Sequence, residues 1–260
     1  MSQQIHPSES QKIAVVTGGS RGIGRNTVVS LAKRGGDSIF TFNTHREDAE
    51  AVSAEAKAAG AQSVPLQLDA GNISSFDAFL KGVEKALSDL GQSRFDFLVN
   101  NAGNNHRNMP FEKATEEEFD SVLSVHFKGV FFLTQKLLPL IKDGGRIVNI
   151  STVRTRTASL GGAVYASMKG AVEVLSRHLA KELGPRRIAV NVVAPGPVET
   201  DFSGGIVRDN PAVNKMIAEN TALGRAGLPE DLGAMIASLL SEENFWVNAQ
   251  RIEVAGGVAI

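Results

Sequence analysis

The sequence predicts a doubly wound α/β fold, with one seven-stranded parallel sheet covered by helices on both faces in a single domain. Three observations carry that prediction. Short apolar runs alternate with segments of roughly 10–20 residues whose apolar positions recur at helical spacing. The short runs are apolar almost throughout, as strands buried on both faces must be. The first run passes directly into a glycine-rich turn and a helix, the opening of a βαβ unit.

Taken in order, residues 13–17 (IAVVT) form the first strand, followed by Gly18-Gly-Ser-Arg-Gly22-Ile-Gly24. Helical spacing then runs from Asn26 to Lys33 and stops at Gly35 and Gly36. Residues 38–42 (SIFTF) are the second strand, and residues 46–59, rich in Ala and Glu, make a helix closed by Gly60. Residues 63–68 are the third strand, ending at Asp69, and a helix over residues 73–90 carries Phe76, Phe79, Leu80, Val83 and Leu87 at helical spacing. Residues 95–99 (FDFLV) form the fourth strand, leading into Asn100, Asn101, Ala102 and Gly103. Thr115 with Glu118 reads as a capping box for one helix continuing to Leu138. Residues 146–150 give the fifth strand and residues 163–183 a long helix. Residues 188–193 are the sixth strand, leading to Pro195-Gly196-Pro197. A helix over residues 229–240 has Glu230 and Asp231 in its first turn, where acidic groups favour the helix dipole, and residues 251–254 complete the sheet.

Composition narrows the function. The chain has 260 residues, 42% hydrophobic and 21% charged, enough for one sizeable core. A formal net charge of −1 gives no long-range pull on nucleic acid or an anionic membrane, and neither is an expected partner. There are no cysteines, so disulfides, thiol catalysis and thiolate metal sites are excluded. The five histidines show no metal-ligand spacing, so no metal is expected. No apolar run approaches the roughly 18 residues of a membrane span. Residues 1–12 are polar and read as a flexible arm ahead of the domain at residues 13–260; a cytoplasmic protein is the expectation.

Within this frame the chemistry gathers at the carboxyl ends of the strands, where doubly wound sheets bind ligands. The glycine turn lets backbone approach a phosphate, with the helix N-terminus facing it, although its spacing is GxxxGxG rather than GxGxxG. Asp69, Asn101, Ala102 and Gly103, Ser151 and Thr152, and Pro195 and Gly196 follow the third to sixth strands. Tyr165, the only tyrosine, stands four residues before Lys169, on the same helix face. A lysine cation within about 4–6 Å of a phenol lowers its pKa from ~10 and makes it a usable acid or base.

Thr17-Gly-Gly-Ser-Arg-Gly-Ile-Gly24, Asn100-Asn-Ala-Gly103, Tyr165-x-x-x-Lys169 and Pro195-Gly196 together resemble the short-chain dehydrogenase/reductase family, and within it the 3-oxoacyl-carrier-protein-reductase-like carbonyl reductases. The resemblance runs from about Lys12 to the C-terminus. It implies hydride transfer between a nicotinamide cofactor and a carbonyl or secondary alcohol, with Tyr165 as acid/base and Lys169 tuning the phenol and holding the ribose. It also implies a hydroxyl thirteen residues before the tyrosine that bonds the substrate oxygen. That position is Thr152, preferred here over the adjacent Ser151. His126 stands where many members carry an asparagine that supports a proton-relaying water. It either takes that role or is a neutral, packed histidine.

The resemblance places cofactor contacts at Gly18, Ser20, Arg21, Gly22, Ile23 and Gly24, at Asp69 (adenine), at Asn101, Ala102 and Gly103 (adenosine), and at Val198 and Thr200 (nicotinamide amide). The second strand ends at Asn43, with no carboxylate before Glu47, whereas an NAD site uses an acidic residue there. Arg21 and Arg46, with His45, are suited to clamp a 2′-phosphate, so NADP(H) is the expected cofactor. The family commonly forms tetramers, and Phe127, Val130, Phe131, Val172, Val174 and Leu175 suit a homotetramer or homodimer interface as well as ordinary packing. Residues 199–223 read as a mobile lid. Arg154, Arg156, His106 and Arg107 read as solvated loop charges, the alternative being an anionic or phosphopantetheine-bearing substrate. A rival reading, an NADP-binding regulatory protein with little turnover, rests on Thr152 and His126. An NAD-dependent sugar or steroid dehydrogenase would require NAD to outcompete NADP despite Asn43.

Overall fold

The computed structural model describes residues 11–104 and 109–260. Of the arm expected over residues 1–12 only the last two fall within that range, and His106 and Arg107 lie outside the described residues. Strands β1 (Ile13–Val16), β2 (Asp37–Phe42), β3 (Ser63–Gln67), β4 (Phe95–Asn100), β5 (Ile141–Ile150), β6 (Ala189–Pro195) and β7 (Arg251–Val254) pair in the order β3-β2-β1-β4-β5-β6-β7. Every pairing is parallel. Chain order reverses between β1 and β4, which opens a crevice beyond the carboxyl ends of those strands.

Successive residues of a strand face opposite sides, and here both sides are core. Ala14 and Val16 of β1 pack with α1 (Gly22–Ala32), α2 (Arg46–Ala58) and, near the C-terminus, α9 (Pro229–Leu239), through Val28, Leu31, Val52 and Ile236. Ile13 and Val15 face the other layer, α3 (Phe76–Asp89), α5 (Val130–Leu137) and α6 (Ala163–Glu182), through Phe76, Val83, Leu133 and Ala180. Helices α1 and α9 approach closely at Gly233, where a β-carbon would come within 2.5 Å of the Asn26 backbone.

Three elements differ from the sequence reading. Helix α1 starts at Gly22 rather than Asn26, because the left-handed turn at Gly22 (φ +55) ends the loop there. Strand β5 starts at Ile141 rather than Arg146, with a register irregularity opposite Phe95 and Phe97. Gly144 (φ +77) and Gly145, whose β-carbon would lie 2.7 Å from the Asp96 carbonyl, make that irregularity possible.

The largest difference lies in the helix expected to run unbroken to Leu138. It divides into α4 (Glu116–Leu123), a wider π-helical turn (Ser124–Gly129) and α5. The loop after β3 presses against that turn. A β-carbon at Gly129 would lie 2.1 Å from the Ala70 carbonyl, and one at Gly71 3.0 Å from Val125. The expected N-cap is present, Thr115 Oγ1 accepting from the Glu118 amide at 3.2 Å.

Residues 199–223 contain left-handed Ser203, Gly204 and Gly205, then α7 (Ile206–Asp209) and α8 (Pro211–Glu219). On the helix faces considered for assembly, Phe131 and Val174 are exposed while Val130 and Val172 are buried in the core. No helix of the described residues is long and apolar enough to cross a membrane.

Candidate active site

A cleft of about 1230 Å³ opens along the carboxyl ends of β1 to β6. At one end stands the loop between β1 and α1. Gly18 and Gly22 adopt positive φ, and a β-carbon on Gly18 would meet the Ala102 backbone at 3.0 Å. Strand β4 is stitched to this loop: Asn101 Nδ2 donates to the carbonyls of Thr17 (2.9 Å) and Gly18 (3.0 Å). In return, Thr17 Oγ1 accepts from the amides of Asn101 and Ala102, both at 2.9 Å. Gly18 N also donates to Thr41 Oγ1 at 2.9 Å, which ties in β2. The loop is therefore braced from two neighbouring strands before any ligand arrives. Helix α1 has no acidic residue in its first turn and no side-chain cap, so its N-terminal amides face the cleft without a competing anion. These features fit a dinucleotide pyrophosphate.

Of the residues expected at this end, Gly18, Ser20, Arg21, Gly22, Ile23, Asn43, Asp69, Asn101, Ala102 and Gly103 line the cleft, with Thr44 and His45 beside them. Gly24 and Arg46 do not. Gly24 serves packing, since a β-carbon there would fall 2.1 Å from the Gly18 carbonyl. Arg46 stands 76% exposed on the outer side of α2, its Nε donating to Glu50 at 2.9 Å. Helical geometry brings its i+4 neighbour within reach and satisfies the guanidinium there. The nearest carboxylate on β2, Asp37, lies at the strand's other end and accepts from Gln62 N at 2.7 Å.

At the other end Tyr165 and Lys169 rise from α6, and Thr152 and Ser151 follow β5. Lys169 Nζ donates to the Ile150 carbonyl at 2.7 Å and lies 5.8 Å from the Tyr165 ring centre. Burial lowers the Lys169 pKa to about 8. Burial also raises the Tyr165 phenol above its ordinary value, and the charge of Arg154 acts against that push. Burial acts against the lowering expected from Lys169, since taking a phenol out of water disfavours its charged form. The phenol is held firmly protonated.

Thr152 Oγ1 accepts from the Arg154 amide at 3.3 Å and borders the cleft. Ser151 is committed elsewhere, its Oγ donating to Glu173 Oε1 at 2.6 Å. Glu173 also receives Thr155 Oγ1 (2.7 Å) and Arg251 Nε (2.8 Å), and Arg251 Nη2 donates to the Thr152 carbonyl at 3.1 Å. This ion pair, largely withdrawn from water, anchors the turn that carries Thr152. The sequence reading missed it, although a glutamate in an apolar helix and an arginine in a final apolar strand were its visible signals.

His126 projects from the π-helical turn and is 1% exposed. Its ring meets the Tyr165 ring edge-on, with centres 5.0 Å apart and planes at 88°, and its Nε2 is hydrogen-bonded to the Asn104 carbonyl at 3.3 Å. Gly103 is required beside it, since a β-carbon there would come within 2.9 Å of the imidazole. Pro195, Gly196, Val198 and Thr200 line the cleft where the chain leaves β6. From the segment after β6, Phe202 packs on Tyr165 with ring centres 6.1 Å apart, and Ile206, Val213 and Met216 extend the same wall. The sequence reading did not single these residues out, although Val213 and Met216 stand three apart on α8 and so on one helix face.

Comparison with known proteins agrees with this architecture. The enoyl-(acyl carrier protein) reductase model of the short-chain dehydrogenases matches residues 18–259. The hydroxynaphthalene reductase-like protein Arp2 of Metarhizium brunneum is 33% identical, over 98% of each chain. Among solved structures, the promiscuous reductase LugOII, which catalyses keto-reduction at C1 in lugdunomycin biosynthesis, is 33% identical with a TM-score of 0.91, over 97% of this chain and 100% of its own. The angucycline C-6 ketoreductase LanV with bound NADP is 32% identical with a TM-score of 0.87, over 97% of this chain and 98% of its own. With its sheet order, its glycine loop and its Tyr165/Lys169 pair, the chain belongs to the short-chain dehydrogenase/reductase family of oxidoreductases.

Proposed function

We propose that this protein is an NADPH-dependent reductase of ketones, with Tyr165 as proton donor. The observation that carries the proposal is one cleft holding a braced glycine loop at one end and a protonated phenol beside a buried lysine at the other. The cofactor, when bound, supplies the hydride to the carbonyl carbon. Arg21, Gly22 and Ile23 would hold its phosphates, and Asn101 to Gly103 its adenosine. Lys169, Val198 and Thr200 would hold the nicotinamide half. Tyr165 gives its proton to the substrate oxygen, and Thr152, kept in place by Glu173 and Arg251, donates a hydrogen bond that orients that oxygen. His126 and Lys169 flank the phenol and return a proton to it.

The 2′-phosphate preference is supported by Asn43, Thr44 and His45, which put no carboxylate at the end of β2, and by Arg21 in the facing loop. Arg46 plays no part in this version of the clamp. The ketoreductase LanV, solved with NADP, and the hydroxynaphthalene reductase-like relatives support the same class of reaction.

The test is oxidation of NADPH and NADH, followed by cofactor absorbance, against a panel of aryl ketones, quinones and acetoacetyl thioesters. The expected outcome is turnover with NADPH that falls at least about a thousandfold in Tyr165→Phe, with NADPH still bound. His126→Ala in the same assay is expected to shift the pH–rate profile. NADPH binding without turnover of any panel member would overturn the reductase reading.

A further inference from the structure

Helix α6 carries Tyr165, Lys169 and Glu173 at intervals of four, so successive turns present them on one face. That face meets the end of β5, where consecutive residues are gripped one by one. Lys169 Nζ donates to the Ile150 carbonyl at 2.7 Å, and Ser151 Oγ donates to Glu173 Oε1 at 2.6 Å. The Thr152 carbonyl accepts from Arg251 Nη2 at 3.1 Å. Arg251 Nε in turn lies 2.8 Å from Glu173 Oε1, each side chain being 12% exposed.

Ser151 and Thr152 both border the cleft, and each has a hydroxyl suited to bond a substrate oxygen. Counting protons separates them, because a hydroxyl has only one to donate. Ser151 gives its proton to a carboxylate, a stronger acceptor than a ketone oxygen. Its amide donates to the Val193 carbonyl at 2.8 Å, which keeps the residue in the sheet. Thr152 Oγ1 accepts from the Arg154 amide at 3.3 Å, and among the described residues its own proton has no acceptor.

Thr155 obeys the same rule. Its Oγ1 lies 2.7 Å from Glu173 Oε1 and 3.0 Å from the Thr152 carbonyl, and its single proton goes to the carboxylate. Arg251 Nη2 then holds the Thr152 carbonyl and also donates to Thr155 Oγ1 at 3.0 Å. Three donors thus converge on one carboxylate oxygen. Without the charge of Glu173, the hydroxyls of Ser151 and Thr155 are free to turn to other acceptors. Arg251 is left with the more exposed Glu253, 2.8 Å from its Nη1.

We propose that Glu173 is a positioning residue that assigns the two neighbouring hydroxyls their roles. Its carboxylate withholds Ser151 from the substrate and fixes the turn so that Thr152 alone meets the reacting oxygen. This rests on the reductase reading and names the group that selects its hydrogen-bond donor. The experiment measures kcat, and KM for NADPH, with a ketone that the wild type turns over. It compares the wild type with Ser151→Ala, Thr152→Ala, Glu173→Gln and the double variant Thr152→Ala/Glu173→Gln. Glu173→Gln keeps the size of the side chain and removes its charge, and the readout is its effect with and without Thr152.

Thr152→Ala is expected to lower kcat about a hundredfold or more, and Ser151→Ala at least about tenfold less than that. Glu173→Gln lowers kcat about tenfold with KM for NADPH unchanged, but by less than about twofold in the Thr152→Ala background. A general loss of folding would carry through to both backgrounds. Three results overturn the inference: equal losses from Ser151→Ala and Thr152→Ala, wild-type kcat in Glu173→Gln, or the same loss from Glu173→Gln in both backgrounds. If no ketone is turned over, the reductase reading fails, and hydrogen exchange of the amides of residues 152–157 still decides what Glu173 holds. Faster exchange confined to that turn in Glu173→Gln upholds its positioning role, and unchanged exchange removes it.

Discussion

In the proposed NADPH site, Asn43 is the side chain at the end of β2 on which the choice of cofactor turns. Strand β2 delivers Asn43, Thr44 and His45 to the cleft, and Thr44 Oγ1 is hydrogen-bonded to His45 Nδ1 at 2.8 Å. A carboxylate at position 43 would repel a 2′-phosphate and bond a free ribose hydroxyl instead. Asn43→Asp is therefore expected to shift the NADPH-to-NADH ratio of kcat/KM toward NADH by about tenfold or more, measured by competition between the two cofactors. An unchanged ratio would place the discrimination wholly with Arg21. Arg46, which the sequence suggested for the clamp, cannot be judged from its position in the chain. Its i+4 partner Glu50 and the direction of α2 decide where the guanidinium points.

The element that matters most is the helix broken by its π-helical turn. Such turns often mark functional sites, and this one carries His126 to the edge of the Tyr165 ring. The break depends on Gly129, which lets the Ala70 carbonyl approach. Gly129→Ala forces backbone against backbone and is expected to cost about 1–3 kcal/mol or more, read as a lowered urea midpoint. Turnover should fall with it as the His126 ring moves. Gly170→Ala, one residue after Lys169, is the contrasting case. Nothing lies within 4 Å of its added β-carbon, so the helix propensity of alanine is expected to raise the midpoint slightly. Equal effects of the two substitutions would contradict the account of the turn.

Across the whole molecule, the site is built at a cost in stability that pH can reveal. Burial lowers the Lys169 pKa from 10.5 to about 8, so between those values the unfolded chain binds more protons than the folded one. Stability then rises with pH across that window, the burial penalty being complete below about pH 8. Tyr165 shifts the other way, with its folded pKa raised above 10.0, so its contribution is present below pH 10 and is lost only beyond it. From pH 8 to 10 the lysine therefore acts alone of the two. The wild type is expected to gain on the order of 2 kcal/mol in unfolding free energy relative to Lys169→Met across that interval, by urea titration. Parallel pH profiles would mean that the folded lysine keeps its ordinary affinity for the proton.

The sequence by itself determined a doubly wound seven-stranded parallel sheet, the glycine loop after its first strand, and the Tyr165/Lys169 pair on one helix face. These are local patterns: alternation, periodicity, and a spacing of four. The resemblance to the family put Thr152 ahead of Ser151, and in the structure Ser151 Oγ donates to Glu173. Only the tertiary structure decided what depends on long-range packing. The break at residues 124–129 arises from a loop some fifty residues earlier in the chain, which no helical periodicity records. The anchor of Thr152 joins α6 to β7, so Glu173 and Arg251 read as stray charges until the fold brings them together. The raised phenol follows from burial, a property of the assembled core that the i+4 spacing of tyrosine and lysine does not contain.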